Sequence, residues 1–185
     1  MHFVRFITSL FELSKRFATN MSSSKRHSKN MLRQLEERFE GKFDKEISKE
    51  ITSMQFFAHI FVMESFVKLN KRKSNQYEID NNIIYFIIMI LHDTLLDSKK
   101  LSIDQINAIV HHPENFISSS FNESVLKEVL IQMQERVPNK KQYLEDVDKI
   151  QRAQIDSLRQ FDPLTSMEDL IQIAKNKGGY TFYMY

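Results

Sequence analysis

The sequence contains no cysteine. That absence excludes disulfides, iron–sulfur clusters and thiolate zinc sites, and it suits a reducing compartment. Glycine and proline are nearly as scarce, with 3 of each in 185 residues, whereas an average soluble chain carries roughly 7% glycine and about 5% proline. Turns and strand boundaries lean on those residues, so no sandwich, barrel or glycine-dependent nucleotide fold is expected. Neither charge sign dominates. The chain has 26 Lys and Arg against 24 Asp and Glu, a net charge of +2, too balanced for a nucleic-acid-binding protein. The longest uncharged apolar stretches, residues 51–63 and 81–91, fall short of the ~20 residues that cross a bilayer. Arg5 and Glu12 interrupt the N-terminal apolar run, and no small-residue cleavage site follows, so a signal peptide is not expected. The expectation is a cytoplasmic protein that is not transmembrane.

Apolar mass for a core is present: 42% of residues are hydrophobic, with 15 Phe and 9 Met, which excludes a disordered chain. These residues recur at helical spacing, and the fold class read from them is all-α, a helical bundle. Phe3, Phe6, Ile7, Leu10, Phe11 and Phe17 line one side of an amphipathic segment whose remaining surface carries Arg5, Lys15 and Arg16. Such a helix packs on its own domain or makes a peripheral contact with a membrane or a partner. Residues 20–30 are Ser-rich and carry Lys25, Arg26 and His27; they read as a mobile linker or, alternatively, a phosphate-binding patch. Residues 1–30 are therefore an arm of helix and linker, and residues 31–185 a helical domain.

Within that domain a charged helix is expected from Met31 to a break at Gly41, followed by a long helix over residues 45–70. Asp80 or Asn81 offers a cap for the most apolar helix, residues 82–96, which has no strand to pair with and is read as a central helix buried all round. Ser102 caps residues 103–110, and Asn122 or Ser124 opens residues 125–136 ahead of Pro138. Asn139 or Lys140 opens a helix to about Arg159. Ser166 opens residues 167–177, after which Gly178-Gly179 breaks or kinks the chain.

Two features carry candidate chemistry. Asp93 and Asp97 lie four residues apart at the end of the most apolar helix, so their carboxylates share one face, roughly 5–6 Å apart. Ionised acids that close repel each other. Mg2+ relieves the repulsion, because it binds through one or two carboxylates plus substrate phosphates. The plainer reading is polar trim, with Asp97 capping the next segment or pairing with Lys99 or Lys100. Lys177, directly before Gly178-Gly179, could reach an anion or simply favour the negative end of its helix. His111-His112 is rejected as a zinc site, since adjacent helical residues point about 100° apart and no further ligand set accompanies them. The sequence has no Walker loop, GxSxG elbow or HExxH, which leaves nucleotide, serine-hydrolase and zincin readings unsupported.

Together these segments resemble the class I isoprenoid synthases, the superfamily of prenyltransferases and terpene synthases. His92-Asp93-Thr94-Leu95-Leu96-Asp97 looks like the first aspartate-rich motif, with Asp93 and Asp97 at its outer acids and Thr94 where DDxxD would place a second Asp. Lys177-Gly178-Gly179 is similar in kind to the Lys-Thr-Gly-type helix break of the prenyl synthases. The stretch from Leu101-Ser102-Ile103-Asp104 to His112-Pro113-Glu114-Asn115, and then Ile150 to Ser157, looks like a bacterial branch of the superfamily. The resemblance covers roughly residue 45 to the C-terminus. It implies a bundle like the N-terminal part of the isoprenoid synthase fold, with Mg2+ held by Asp93 and Asp97 and diphosphate contacts from Lys177 and Gln154. The implied activity is ionisation of a prenyl diphosphate substrate, for prenyl transfer or terpene cyclisation in isoprenoid biosynthesis. Phe56, Phe57, Phe61, Tyr85 and Phe86 are candidate walls for the hydrocarbon.

The superfamily's second acidic motif has no counterpart before Tyr185. Asp146 with Asp148, or Glu168 with Asp169, are substitutes that read more simply as solvated helix acids. The expectation is an N-terminal fragment or divergent member, inactive alone or completed by another chain or a homo-oligomer. The rival reading is a non-catalytic helical protein that binds a partner through its Phe-rich segment at residues 3–17.

Overall fold

The computed structural model describes residues 24–59, 63 and 69–183, with 177–183 described by backbone alone. The amphipathic segment at residues 3–17 and Phe61 lie outside them. All regular structure among the described residues is helical, as the composition required. The chain divides into two compact units, residues 1–90 and 91–185.

The first unit contains α1 (residues 24–38), α2 (Lys45–Ala58) and the first four turns of α3 (Gln76–Asp97). The expected linker is already helix from Ser24 onward. The reason is tertiary: Ser24, Ser28, Leu32 and Leu35 form one buried stripe, and its two hydroxyls donate to Gln55 Oε1 on α2 at 2.9 and 2.8 Å. Polar composition signalled a linker, but satisfied hydroxyls are tolerated inside. α1 ends near Gly41 as expected, where the Gly41 N–H reaches the Glu36 carbonyl at 3.1 Å. The left-handed residue there is Glu40, with φ 49°. With so little glycine in the chain, side-chain-bearing residues take such positions at some cost.

α3 begins six residues earlier than its apolar run. Asn75 caps it, accepting from the Glu78 N–H at 2.9 Å, while the Glu78 carboxylate accepts from the Asn75 N–H at 3.0 Å. This reciprocal box satisfies two N–H groups that a helix start otherwise leaves open. Asp80 and Asn81, the expected caps, lie inside the helix. Residues 82–87 are all buried; at 100° per residue that run circles the helix, so the expectation of burial all round holds there. α3 is 22 residues long and contains an 18-residue window with a mean hydropathy of 1.3, which passes the length and composition test for a membrane span. Of that apolar window, 61% is buried inside the protein, as in a core helix.

The second unit contains the last two turns of α3, then α4 (Ile103–His111), α5 (Phe121–Arg136), α6 (Lys140–Ser157) and α7 (Met167–Tyr183). Short 3-10 turns at Pro113–Asn115 and Leu158–Phe161 join them. Its core is built from Leu91 and Leu95, Ile106 and Ile109, and Leu126 and Leu130, all at most 1% exposed. Ser102 and Gln105 make the expected capping box. α5 starts at Phe121 with Ser120 as cap, ahead of the expected Asn122 or Ser124. Glu123, 4% exposed, explains this: it accepts from the Ser119 N–H at 2.8 Å and the Ser120 hydroxyl at 2.9 Å. Asn139 and Ser166 open α6 and α7 as expected. Of the expected break or kink at Gly178-Gly179, the break does not occur: helical backbone runs on to Tyr183. Interior glycine costs a helix roughly 1 kcal/mol relative to alanine, too little to force an end.

Candidate functional site

The acid pair sits at the C-terminal tip of α3. Asp97 is the last helical residue and Asp93 lies one turn before it. Beyond them the Lys99 N–H closes on the Leu96 carbonyl at 3.0 Å, and Lys99 takes the left-handed conformation with φ 53°. Leu95 and Leu96 on the same turn are buried, anchoring the tip. Asp93 is half-buried with its Oδ1 shielded from solvent, and Asp97 is exposed. The structure therefore offers one fixed carboxylate and one that can adapt. Lys99 and Lys100 are also exposed, and Asp97 forms no ion pair with either.

The placement is electrostatically unfavourable. A helix carries partial negative charge at its C-terminal end, where cations stabilise by about 0.3–1 kcal/mol and anions do the reverse. The last turn of α3 has no basic residue. Like charges at this spacing add roughly 0.2–0.5 kcal/mol of repulsion. Two carboxylates of this kind suit Mg2+, which takes part of its oxygen shell from water and substrate phosphate. Among the described residues no cluster of three or more His, Cys, Asp or Glu could hold a metal.

Gln154 is buried at 2% exposure, and its Oε1 has no hydrogen-bond partner among the described residues. Its neighbours Gln151 and Ser157 are buried too. The Gln151 amide donates to Asn107 Oδ1 on α4 at 2.7 Å, and the Ser157 hydroxyl to the Gln154 carbonyl at 2.6 Å. This buried polar stripe escaped sequence reasoning, although its three-residue spacing in a helix poor in apolar residues was a readable signal. Lys177 lies on α7, which packs against α6, and only its backbone is described. An open groove of about 190 Å3 between those helices is lined by Lys149, Arg152, Ala153, Asp156 and Asn176; neither Asp93 nor Asp97 borders it.

The substitute acids are mostly occupied locally. Asp146 accepts from Lys149 Nζ at 2.8 Å and the Gln142 amide at 3.1 Å, and these contacts hold its carboxyl below the usual range. Asp148 pairs with His111 at 2.9 Å, and Asp169 accepts from the Ser166 hydroxyl at 2.9 Å. Of the candidate walls, Phe56, Tyr85 and Phe86 are buried in the first unit, whereas Phe57 is exposed. Comparison of the chain with protein-family models, with curated proteins and with solved structures finds no match.

Proposed function

We propose that this chain binds Mg2+ and the diphosphate of a prenyl diphosphate at the tip of α3, as a divergent class I isoprenoid synthase-like helical protein. The observation that carries this reading is the pair of acids at the negative end of the most apolar helix, in a last turn with no basic residue. Two like charges stand where both their mutual repulsion and the helix dipole oppose them, and a bound cation reverses both effects. Asp93, held by its buried turn, fixes the site, and Asp97 closes on the cation. The unpartnered Oε1 of Gln154 is an acceptor suited to a metal-bound water. Lys177 is the candidate cation for the anionic substrate. Mg2+, when bound, supplies charge neutralisation to a departing diphosphate.

The test is a thermal-shift titration with inorganic pyrophosphate and Mg2+, comparing the native chain with Asp93→Asn/Asp97→Asn. The native chain gains a saturable, Mg2+-dependent rise in Tm that the double variant lacks. Equal shifts in both proteins, or none in either, overturn the reading. A second reading, a partner-binding helical protein, draws on the exposed apolar row Phe161, Leu164, Met167 and Ile171, of which Leu164 is 91% exposed. It predicts no response to the titration.

A further inference from the structure

The first unit contains a polar cavity of about 170 Å3, lined by Ser24, Arg26, His27, Asn30, His59 and Gln76, with Ile79 as its apolar edge. At ~30 Å3 per water it has room for roughly five waters, enough for a phosphoryl group and its first substituent. No carboxylate is among its described lining residues, although Asp80 contacts two of them, His27 and Gln76. A guanidinium, two imidazoles and two amides make the wall rich in donors. Arg26 is exposed and has no ion-pair partner among the described residues, and the Asn30 side chain makes no hydrogen bond among them. Three of the other lining side chains have fixed partners. Asp80 Oδ1 lies 2.7 Å from His27 Nε2 and accepts from the Gln76 amide at 2.8 Å. Ser24 is fixed by its bond to Gln55, which is fully buried.

We infer that this cavity is a metal-independent site for a phosphate dianion, with Arg26 as the principal cation and Asn30 as an amide donor. Guanidinium groups bind phosphate in paired, charge-assisted hydrogen bonds. Ser24, His27 and Gln76 in the wall are anchored by side chains of α2 and α3, so the wall needs little reordering on binding. The anion is free phosphate, or the phosphoryl head of a small ester or a lipid. The inference does not rest on the diphosphate reading, because Asp93 and Asp97 belong to the other unit and this site requires no cation.

The experiment is calorimetric titration of the full chain with inorganic phosphate in EDTA at constant ionic strength. A parallel arm measures flotation with phosphatidylcholine vesicles, with and without phosphatidic acid. Saturable binding is expected for the native chain and for Asp93→Asn/Asp97→Asn alike, and it weakens about tenfold or more in Arg26→Gln. Arg26 is exposed and has no partner among the described residues, and circular dichroism checks that the variant folds; Asn30→Ala gives a smaller loss. Flotation that depends on both phosphatidic acid and Arg26 identifies a lipid head as the source, whereas phosphate binding without flotation identifies a soluble one. The inference is overturned by the absence of saturable phosphate binding, or by binding that Arg26→Gln leaves unchanged.

Discussion

The two ends of α3 carry acids under opposite conditions. At the first end Glu78 sits in the opening turn, where the helix dipole favours a negative charge. It completes a box with Asn75 and is gripped by both Arg72 nitrogens at 2.8 and 2.5 Å. Those bonds from Arg72, with the Asn75 N–H adding to them, hold the Glu78 carboxyl below its ordinary range. At the far end Asp93 and Asp97 face the wrong pole of the same dipole, with no basic residue in the turn. One end is built for stability. The other gives stability up, and that is the condition in which a cation has most to contribute.

The largest test of this contrast lies between the two ends. Ile87 is 0% exposed, and Ile87→Ala is expected to cost about 2–5 kcal/mol in urea unfolding; a loss below about 1 kcal/mol would show that α3 is not the core. Asn75→Ala removes the cap and costs about 1 kcal/mol by the same measurement. Lys99→Gly relieves the left-handed residue beyond the acid tip and is expected to gain about 0.5–1 kcal/mol. Asp97→Lys, measured without divalent cations, gains about 0.3–1 kcal/mol. A loss there would mean that the tip is not frustrated. The smallest effect is on acid stability. Because the folded Glu78 carboxyl titrates below its ordinary value, its contribution is complete above the usual carboxylate range and is lost as pH falls through the lowered value. Glu78→Gln should therefore flatten the acid limb of the stability curve, followed as urea unfolding against pH.

Much of the fold was legible because it is settled locally. The Ser102-to-Gln105 box, the Asn139 and Ser166 caps and the apolar girth of α3 each depend on a handful of consecutive residues. The missed starts carried the same kind of signal: Asn75 precedes Glu78, and Ser120 precedes Glu123, at the capping-box spacing. They were passed over because the apolar runs begin later than the helices do. The helix at residues 24–30 was not legible at all. Its hydroxyls face inward only because Gln55, some thirty residues away, accepts from both. The acid pair of the candidate site was readable from spacing, and its position at the very end of α3 followed only from the observed helix boundary. The burial of Gln154 depended on which neighbours α6 meets.

The sequence alone determined that the protein is helical, that thiol chemistry is absent, and that two acids share one turn, since composition and period act over a few residues. The tertiary structure decided which polar groups are inside: Ser24, Ser28 and Gln55 are closed from water by partners distant in the chain, and Gln154 is buried as well. A helical period defines a face, and only the neighbour that covers it decides whether that face is core, surface or site.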